Sequence, residues 1–267
     1  FFPERVISDI DHDIPTLDQA GIAEDVVLEI PMPSGQVLGF RLYKNTTLAP
    51  ELMVQFPFLH TYQGASIEDP STVIYCEVTQ KGFHAMILSD NSPTVIIQPE
   101  GQEYIIFERS KVIKDSNYQH DCLTKDDVHN RKPKKVGNTV QDRAGDCKVR
   151  QFKVSIAATG EYTSFHGGTS GAISAITTSL NRVNGILQKE LGVVLQLVGN
   201  NSSVIYTTPA TDPYTNNDPF AMLDQNQITL DGVIGTTNYD IGHVFGTGSS
   251  GVAYIGVNCD PDYKGQA

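Results

Sequence analysis

The chain has 267 residues, of which 39% are hydrophobic and 19% charged, and it carries a formal net charge of -12. A chain of this length buries a sizeable core as one large domain or two ordinary ones, and the composition excludes disordered and fibrous classes. The acidic balance excludes a phosphate-backbone surface, which needs clustered Lys and Arg, so no nucleic-acid partner is expected; nor does any apolar run approach the roughly 18 residues of a membrane span.

The first residues, Phe1-Phe2-Pro3-Glu4-Arg5, lack the basic start and longer apolar stretch of a signal peptide. From Asp25 to Glu108, short apolar segments alternate with turn residues: Val26 to Ile30, Gly39 to Tyr43, Val73 to Val78, Met86 to Leu88, Thr94 to Ile97 and Tyr104 to Phe107. Their length, their Val, Ile, Tyr and Phe content and their Pro, Gly, Asn and Asp borders predict strands, arranged as a sandwich or an open barrel. No helical period is evident in this part. Between Lys111 and Asp146 the chain turns polar and charged around Arg131-Lys132-Pro133-Lys134-Lys135, the composition of an exposed linker, read either as a solvated loop or as a protease-cleavable boundary.

After Cys147 the pattern becomes α/β. Val149 to Ala158 reads as a strand, and Ser170 to Leu191 as a long helix whose stripe Ile173, Ile176, Leu180, Val183, Leu187 and Leu191 faces a sheet. Val193 to Val198 is a continuous apolar run, expected to be a strand buried on both faces and reached by a crossover in a mostly parallel sheet. A turn-rich loop from Thr208 to Asp218 leads to a second helix near Pro219 to Ile234. Strands are then expected at Tyr239 to Phe245 and Val252 to Val257.

The chemistry is marked first by what is missing. Hydrolytic zinc needs three protein ligands and a polarised water, yet the chain has no His-Glu-x-x-His and no glutamate after Glu190. No Gly-x-Ser-x-Gly is present either. Gly246-Thr247-Gly248-Ser249-Ser250-Gly251 matches a dinucleotide fingerprint in letters, but no helix-forming segment follows it, so it reads as a loop. Cys76, Cys122, Cys147 and Cys259 have no zinc-knuckle spacing, which leaves disulfides or a functional thiol. Thr211-Asp212-Pro213-Tyr214-Thr215-Asn216-Asn217-Asp218 gathers oxygen ligands and could hold calcium, though the same residues serve turns, and Asp218-Pro219 suits a helix start. His166 reads as a loop residue and His243 as a structural one.

Several ordered segments carry a family resemblance. Tyr239-Asp240-Ile241-Gly242-His243-Val244-Phe245-Gly246-Thr247-Gly248 followed by Gly251-Val252-Ala253-Tyr254-Ile255-Gly256-Val257-Asn258-Cys259 resembles the end of the upper subdomain of reprolysin/adamalysin-like metzincins. Thr159-Gly160-Glu161-Tyr162-Thr163, Asn181-Arg182-Val183-Asn184 and Ala210-Thr211-Asp212-Pro213-Tyr214-Thr215 are similar to the secreted bacterial branch of that family. The strand order of the first half, with Thr94-Val95-Ile96-Ile97-Gln98-Pro99, resembles reprolysin-type propeptides. The resemblance implies an α+β chain: a β-rich prodomain over 1–130, a basic linker over 131–146, and the α/β upper subdomain of a catalytic domain over 147–267, ending before the zinc-binding helix. It implies a secreted zinc endopeptidase precursor, inactive as this chain alone, whose partners are the remainder of the catalytic domain and peptide or protein substrates.

In many such relatives a propeptide cysteine occupies the zinc until the linker is cut, and Cys122 is the candidate for that ligand. A disulfide with Cys76 or Cys147 is the other reading of the same residue. For substrate, the expected strand Gly251, Val252, Ala253 and Tyr254 lies at an exposed sheet edge, where an extended peptide would add as a further strand. The competing function is a non-enzymatic secreted binding or inhibitory module.

Overall fold

The computed structural model describes residues 5–6, 26–101, 103–112, 121–122 and 147–267, and these form two compact units. The first comprises Phe1–Ser116 together with Ile173–Glu190, and the second Asn117–Ala172 together with Leu191–Ala267. The linker 131–146 and the side chain of Cys122 fall outside the described residues.

The first unit is built on one eight-stranded antiparallel sheet. Its strands are β1 (Arg5–Val6), β2 (Val26–Pro31), β3 (Val37–Lys44), β4 (His60–Ser66), β5 (Val73–Thr79), β6 (Gly82–Leu88), β7 (Val95–Glu100) and β8 (Glu103–Glu108). From β2 to β8 each strand pairs with the next in chain order, and β1 closes the far edge on β8. Strand side chains alternate faces, so one parity carries the core: Leu28 and Ile30, Phe40 and Leu42, Ile74 and Cys76, Phe83, Ala85 and Ile87, Val95 and Ile97, Tyr104 and Ile106. These residues pack on one another across the curl of a single sheet, which replaces the sandwich alternative with the open one. Cys76 lies fully buried in that core as a free thiol, and its burial pushes the thiol pKa up.

Strand β1, strand β4 and a short helix are absent from the sequence reading. Strand β4 has only Tyr62 in the apolar core, with Gln63, Gly64 and Ser66 along its length, so it lacks the apolar run that marked its neighbours. A short helix, α1 (Pro50–Gln55), starts on Pro50, whose fixed φ and missing N–H suit a first helical position. At one turn and a half it is too short to show a period.

The other parity of β5 and β6 packs against helix α3 (Thr169–Leu191). Gly185 sits so close to the sheet that an added Cβ would lie 2.8 Å from Met86 Cε and 2.9 Å from Tyr75 Cδ2. Ile173, Ile176 and Leu180 are buried as predicted, but Val183 is 43% exposed and Leu191 66% exposed. Past Leu180 the buried face is Asn181, Asn184 and Gly185 instead. The helix stays seated because the sheet answers with polar groups: Asn181 Oδ1 accepts from Asn45 Nδ2 at 2.8 Å and from Thr47 Oγ1 at 3.2 Å.

The second unit holds a parallel three-stranded sheet in the order β11 (Val193–Leu197), β10 (Arg150–Ala158), β12 (Ile241–Phe245). The expected crossover, strand to helix to parallel strand, is present. However, β11 is an edge strand in which only Val194 and Leu197 are buried, so it is not sandwiched on both faces. Helix α2 (Gly160–Phe165) is capped by Thr159, whose hydroxyl accepts from Tyr162 N at 3.2 Å. Helix α4 (Pro219–Leu230) starts as Asp218-Pro219 predicts: Asp218 Oδ1 accepts from Ala221 N at 3.0 Å and Pro219 takes the first turn. A wider turn, Asp231–Gly235, ends it.

Candidate functional site

The site is assembled where β12 runs out. Beyond Phe245 the chain forms the loop 246–249 and then β13 (Ser250–Gly251), which pairs in parallel with β9 (Asp121–Cys122) in the register Ser250 to Asp121 and Gly251 to Cys122. The strand expected over Val252 to Val257 does not form; Tyr254 N instead donates to Gln266 O at 2.9 Å, tying this stretch to the turn at 264–266. Of the four residues expected to bind substrate, Gly251 is therefore in a strand, while Val252, Ala253 and Tyr254 run on without ladder pairing. The structure thus brings the backbone of two sequence candidates, Cys122 and Gly251, side by side.

A cavity of about 410 Å³ opens beside this ladder, lined among others by Asn216, Asn226, His243, Phe245, Ser250 and Gly251. One wall is the N-terminal part of α4 and the other the end of β12 with its loop. Asn216 fixes the loop: its Oδ1 accepts from Thr247 N at 2.9 Å and Thr159 Oγ1 at 3.0 Å, and its Nδ2 donates to Thr247 Oγ1 at 2.8 Å. Gly246 is required beside it, since an added Cβ would lie 2.7 Å from Asn216 Oδ1. Asn226, 1% exposed, accepts at Oδ1 from the Tyr214 hydroxyl at 2.9 Å and donates from Nδ2 to Gly265 O at 2.6 Å.

His243 reaches the cavity from β12. Its Nδ1 lies 2.8 Å from the Ala267 carbonyl, which can only accept, so Nδ1 carries the hydrogen and Nε2 is left as the acceptor. Burial pushes its pKa down, partly offset by that carbonyl, which keeps the ring neutral at pH 7. The ring meets Phe245 edge to face at 5.3 Å. The structural reading of His243 accounts for Nδ1; the cavity-facing role was not visible from alternation alone. His166, the C-cap of α2, meets Tyr162 in a tilted ring contact at 4.4 Å, and Tyr162 contacts Phe245 at 5.4 Å.

In the loop 211–218, read either as turns or as a calcium site, both oxygens of Asp212 accept from backbone N–H groups, one from Gly160 N at 2.6 Å and the other from Tyr214 N at 2.9 Å. Among the described residues, no group of three or more His, Cys, Asp and Glu side chains could hold a metal ion, so no catalytic step through zinc can be built on them. What the cavity offers is a polar, partly apolar cleft bordered by backbone.

Residues 148–267 match the model of the reprolysin-like metallo-peptidase family M12B. That match covers the second unit from β10 onward, and with it the cavity, β12 and β13. The family's peptidases are zinc-dependent hydrolases, and residues 148–267 are similar to them over less than half of the chain. No curated protein matches the chain. Among the described residues no helix is long and apolar enough to cross a membrane.

Proposed function

We propose that the chain is the front part of a secreted zinc metalloendopeptidase precursor, of the bacterial branch, in which residues 1–130 hold the enzyme latent, 131–146 is the site of maturation and 147–267 is the upper subdomain of the catalytic domain. The observation that carries this reading beyond the family match is the β9–β13 pairing. An upstream segment already adds to Ser250–Gly251 as a strand, which is how an extended peptide satisfies an open edge. In the precursor, Asp121–Cys122 takes the place that substrate takes after maturation, and the Cys122 thiolate is the zinc ligand of the latent state. The zinc site itself is assembled with the remainder of the catalytic domain.

The coding frame beyond residue 267 tests the class, because the reading requires His-Glu-x-x-His there. The extended precursor should gain chelator-sensitive peptidase activity on cleavage within 131–146, and Cys122→Ser should raise activity before that cleavage. A stop codon, or an extended protein with no peptidase activity, would leave the binding or inhibitory module.

Gly251 permits close backbone approach of the incoming strand. In the matured enzyme, Gly251→Pro removes the donor N–H and should lower kcat/KM by about tenfold or more, a change of about 1.4 kcal/mol in transition-state binding. A melting temperature within a degree or two of the parent must accompany it. Normal turnover of several peptides by the folded variant would remove this strand from the substrate site.

A further inference from the structure

The first unit contains a buried carboxyl group that the peptidase reading does not use. Glu77 lies on the outer parity of β5, 1% exposed, beneath helix α3. Its Oε2 accepts from Asn181 Nδ2 at 2.6 Å. That amide cannot be turned the other way, because its oxygen is already committed to Asn45 Nδ2 and Thr47 Oγ1, and Asn184 Nδ2 holds Thr47 Oγ1 in turn at 3.0 Å. The other oxygen, Oε1, is shut off from solvent and has no hydrogen-bond partner. Such a group is better served as an acid than as an anion. Oε2 is then the carbonyl that accepts from Asn181, and Oε1 carries the proton, whereas a carboxylate would leave half its charge on an oxygen with no donor.

We propose that Glu77 is a proton-dependent latch: its neutral acid seats helix α3 on the outer face of the sheet, and ionisation of the carboxyl loosens that seat. The groups around it do not reverse this. His84 pairs directly across from Glu77 on β6, and its own burial pushes its imidazole down to about 4, so it is uncharged near neutrality. Thr61, opposite on β4, is uncharged, and Tyr75, two residues along the same face, is pushed up to about 12 by burial. From the helix, the Asn181 hydrogen bond favours the anion most, Arg182 next and a hydrogen bond from the Thr178 hydroxyl least, while Lys189, two turns on, is held by Asp90 at 2.7 Å. Desolvation outweighs the Asn181 hydrogen bond, Arg182 and the Thr178 hydroxyl together and raises the Glu77 pKa from 4.5 to about 8.

The direction follows from linkage. A group whose folded pKa is raised contributes its full stability below the unfolded value, here 4.5, and loses it as pH rises through about 8. Opening of the helix from the sheet should therefore increase roughly ten- to fifty-fold between pH 6 and pH 8. The latch holds in acid and slackens in mild alkali, the reverse of a histidine switch. It does not depend on the peptidase reading.

Hydrogen–deuterium exchange of the full chain, corrected for base catalysis, reads this as the loss of protection over residues 173–190 between the two pH values. Glu77→Gln keeps the shape and one carbonyl acceptor but cannot ionise, so its protection should not change with pH. A wild-type chain with constant corrected protection, or a Glu77→Gln chain with the same pH slope as wild type, would overturn the latch. Should Glu77→Gln fail to fold, the carbon-13 shift of the Glu77 carboxyl in the wild-type chain decides: a midpoint above 7 supports the proposal, and one below 5 overturns it.

Discussion

Replacing Asn201 with leucine should destabilise the second unit by about 3 to 5 kcal/mol, one of the two largest effects expected from a single side chain in this protein. Strand β10 pairs with β11 only from Arg150 to Val154, and farther on Ala158 O accepts from Tyr206 N at 3.0 Å. Between these two ladders the backbone of Ile156 would be stranded in the core. Asn201, 0% exposed, fills the gap with its amide: Oδ1 accepts from Ile156 N at 2.8 Å and from Ser155 Oγ at 3.2 Å, while Nδ2 donates to Ile156 O at 2.9 Å. The side chain acts as one residue of a missing strand. Leucine has a similar volume but leaves a buried N–H and a buried C=O without partners, each costing about 1 to 3 kcal/mol. Urea unfolding should show a lower midpoint with an unchanged slope. A loss below 1 kcal/mol would mean that water or a neighbouring group repairs the strand, and that the amide is not its structural partner.

Asn201 also shows where sequence reading stops. An asparagine in a turn after an apolar strand looks like turn chemistry, because nothing local distinguishes an amide that bonds its own backbone from one that completes a distant strand. The strands of the first sheet were legible because their period is two and their buried parity is strongly apolar, as with Ile74 and Cys76 or Phe83, Ala85 and Ile87. Strand β4 was missed for the converse reason: in it only Tyr62 joins that core.

The long helix was read correctly in extent, and its face correctly only as far as Leu180. Its second half is buried through Asn181, Asn184 and Gly185, residues that an apolar-stripe search assigns to solvent. They can be buried only because Asn45, Thr47 and Glu77 meet them, and that pairing spans more than a hundred residues of sequence. At the candidate site, the sequence picked out Gly251 and Cys122 separately and for different reasons. Their adjacency is a parallel pairing between distant two-residue strands, too short to leave any pattern in the chain. The expected strand over Val252 to Val257 failed because its backbone is drawn aside, with Tyr254 N bonded to Gln266 O.

Gly242→Ala is the second substitution from which a large loss is expected, and it connects the stability of the unit to the shape of its cavity. Gly242 is the second residue of β12, opposite Ser155 of β10. A Cβ there would lie 2.4 Å from Leu230 Cδ1 and 2.7 Å from Gly265 Cα. The leucine tip can rotate away, but Gly265 is backbone. It is also pinned, because its N–H donates to Gln227 Oε1 at 2.6 Å and its carbonyl accepts from Asn226 Nδ2 at 2.6 Å. The turn therefore has to shift as a body, at a cost of about 2 to 3 kcal/mol for overpacking. Moving that turn also moves the Ala267 carbonyl that holds His243 Nδ1, so the imidazole resonances should shift along with the fall in melting temperature. Gly232→Ala provides the comparison: a Cβ there meets nothing within 4 Å, in a helical turn, so the same chemical change should be neutral or stabilising by up to about 1 kcal/mol. If the two alanine variants melt together, close approach of Gly242 to the C-terminal turn is not what holds this wall of the cavity in place.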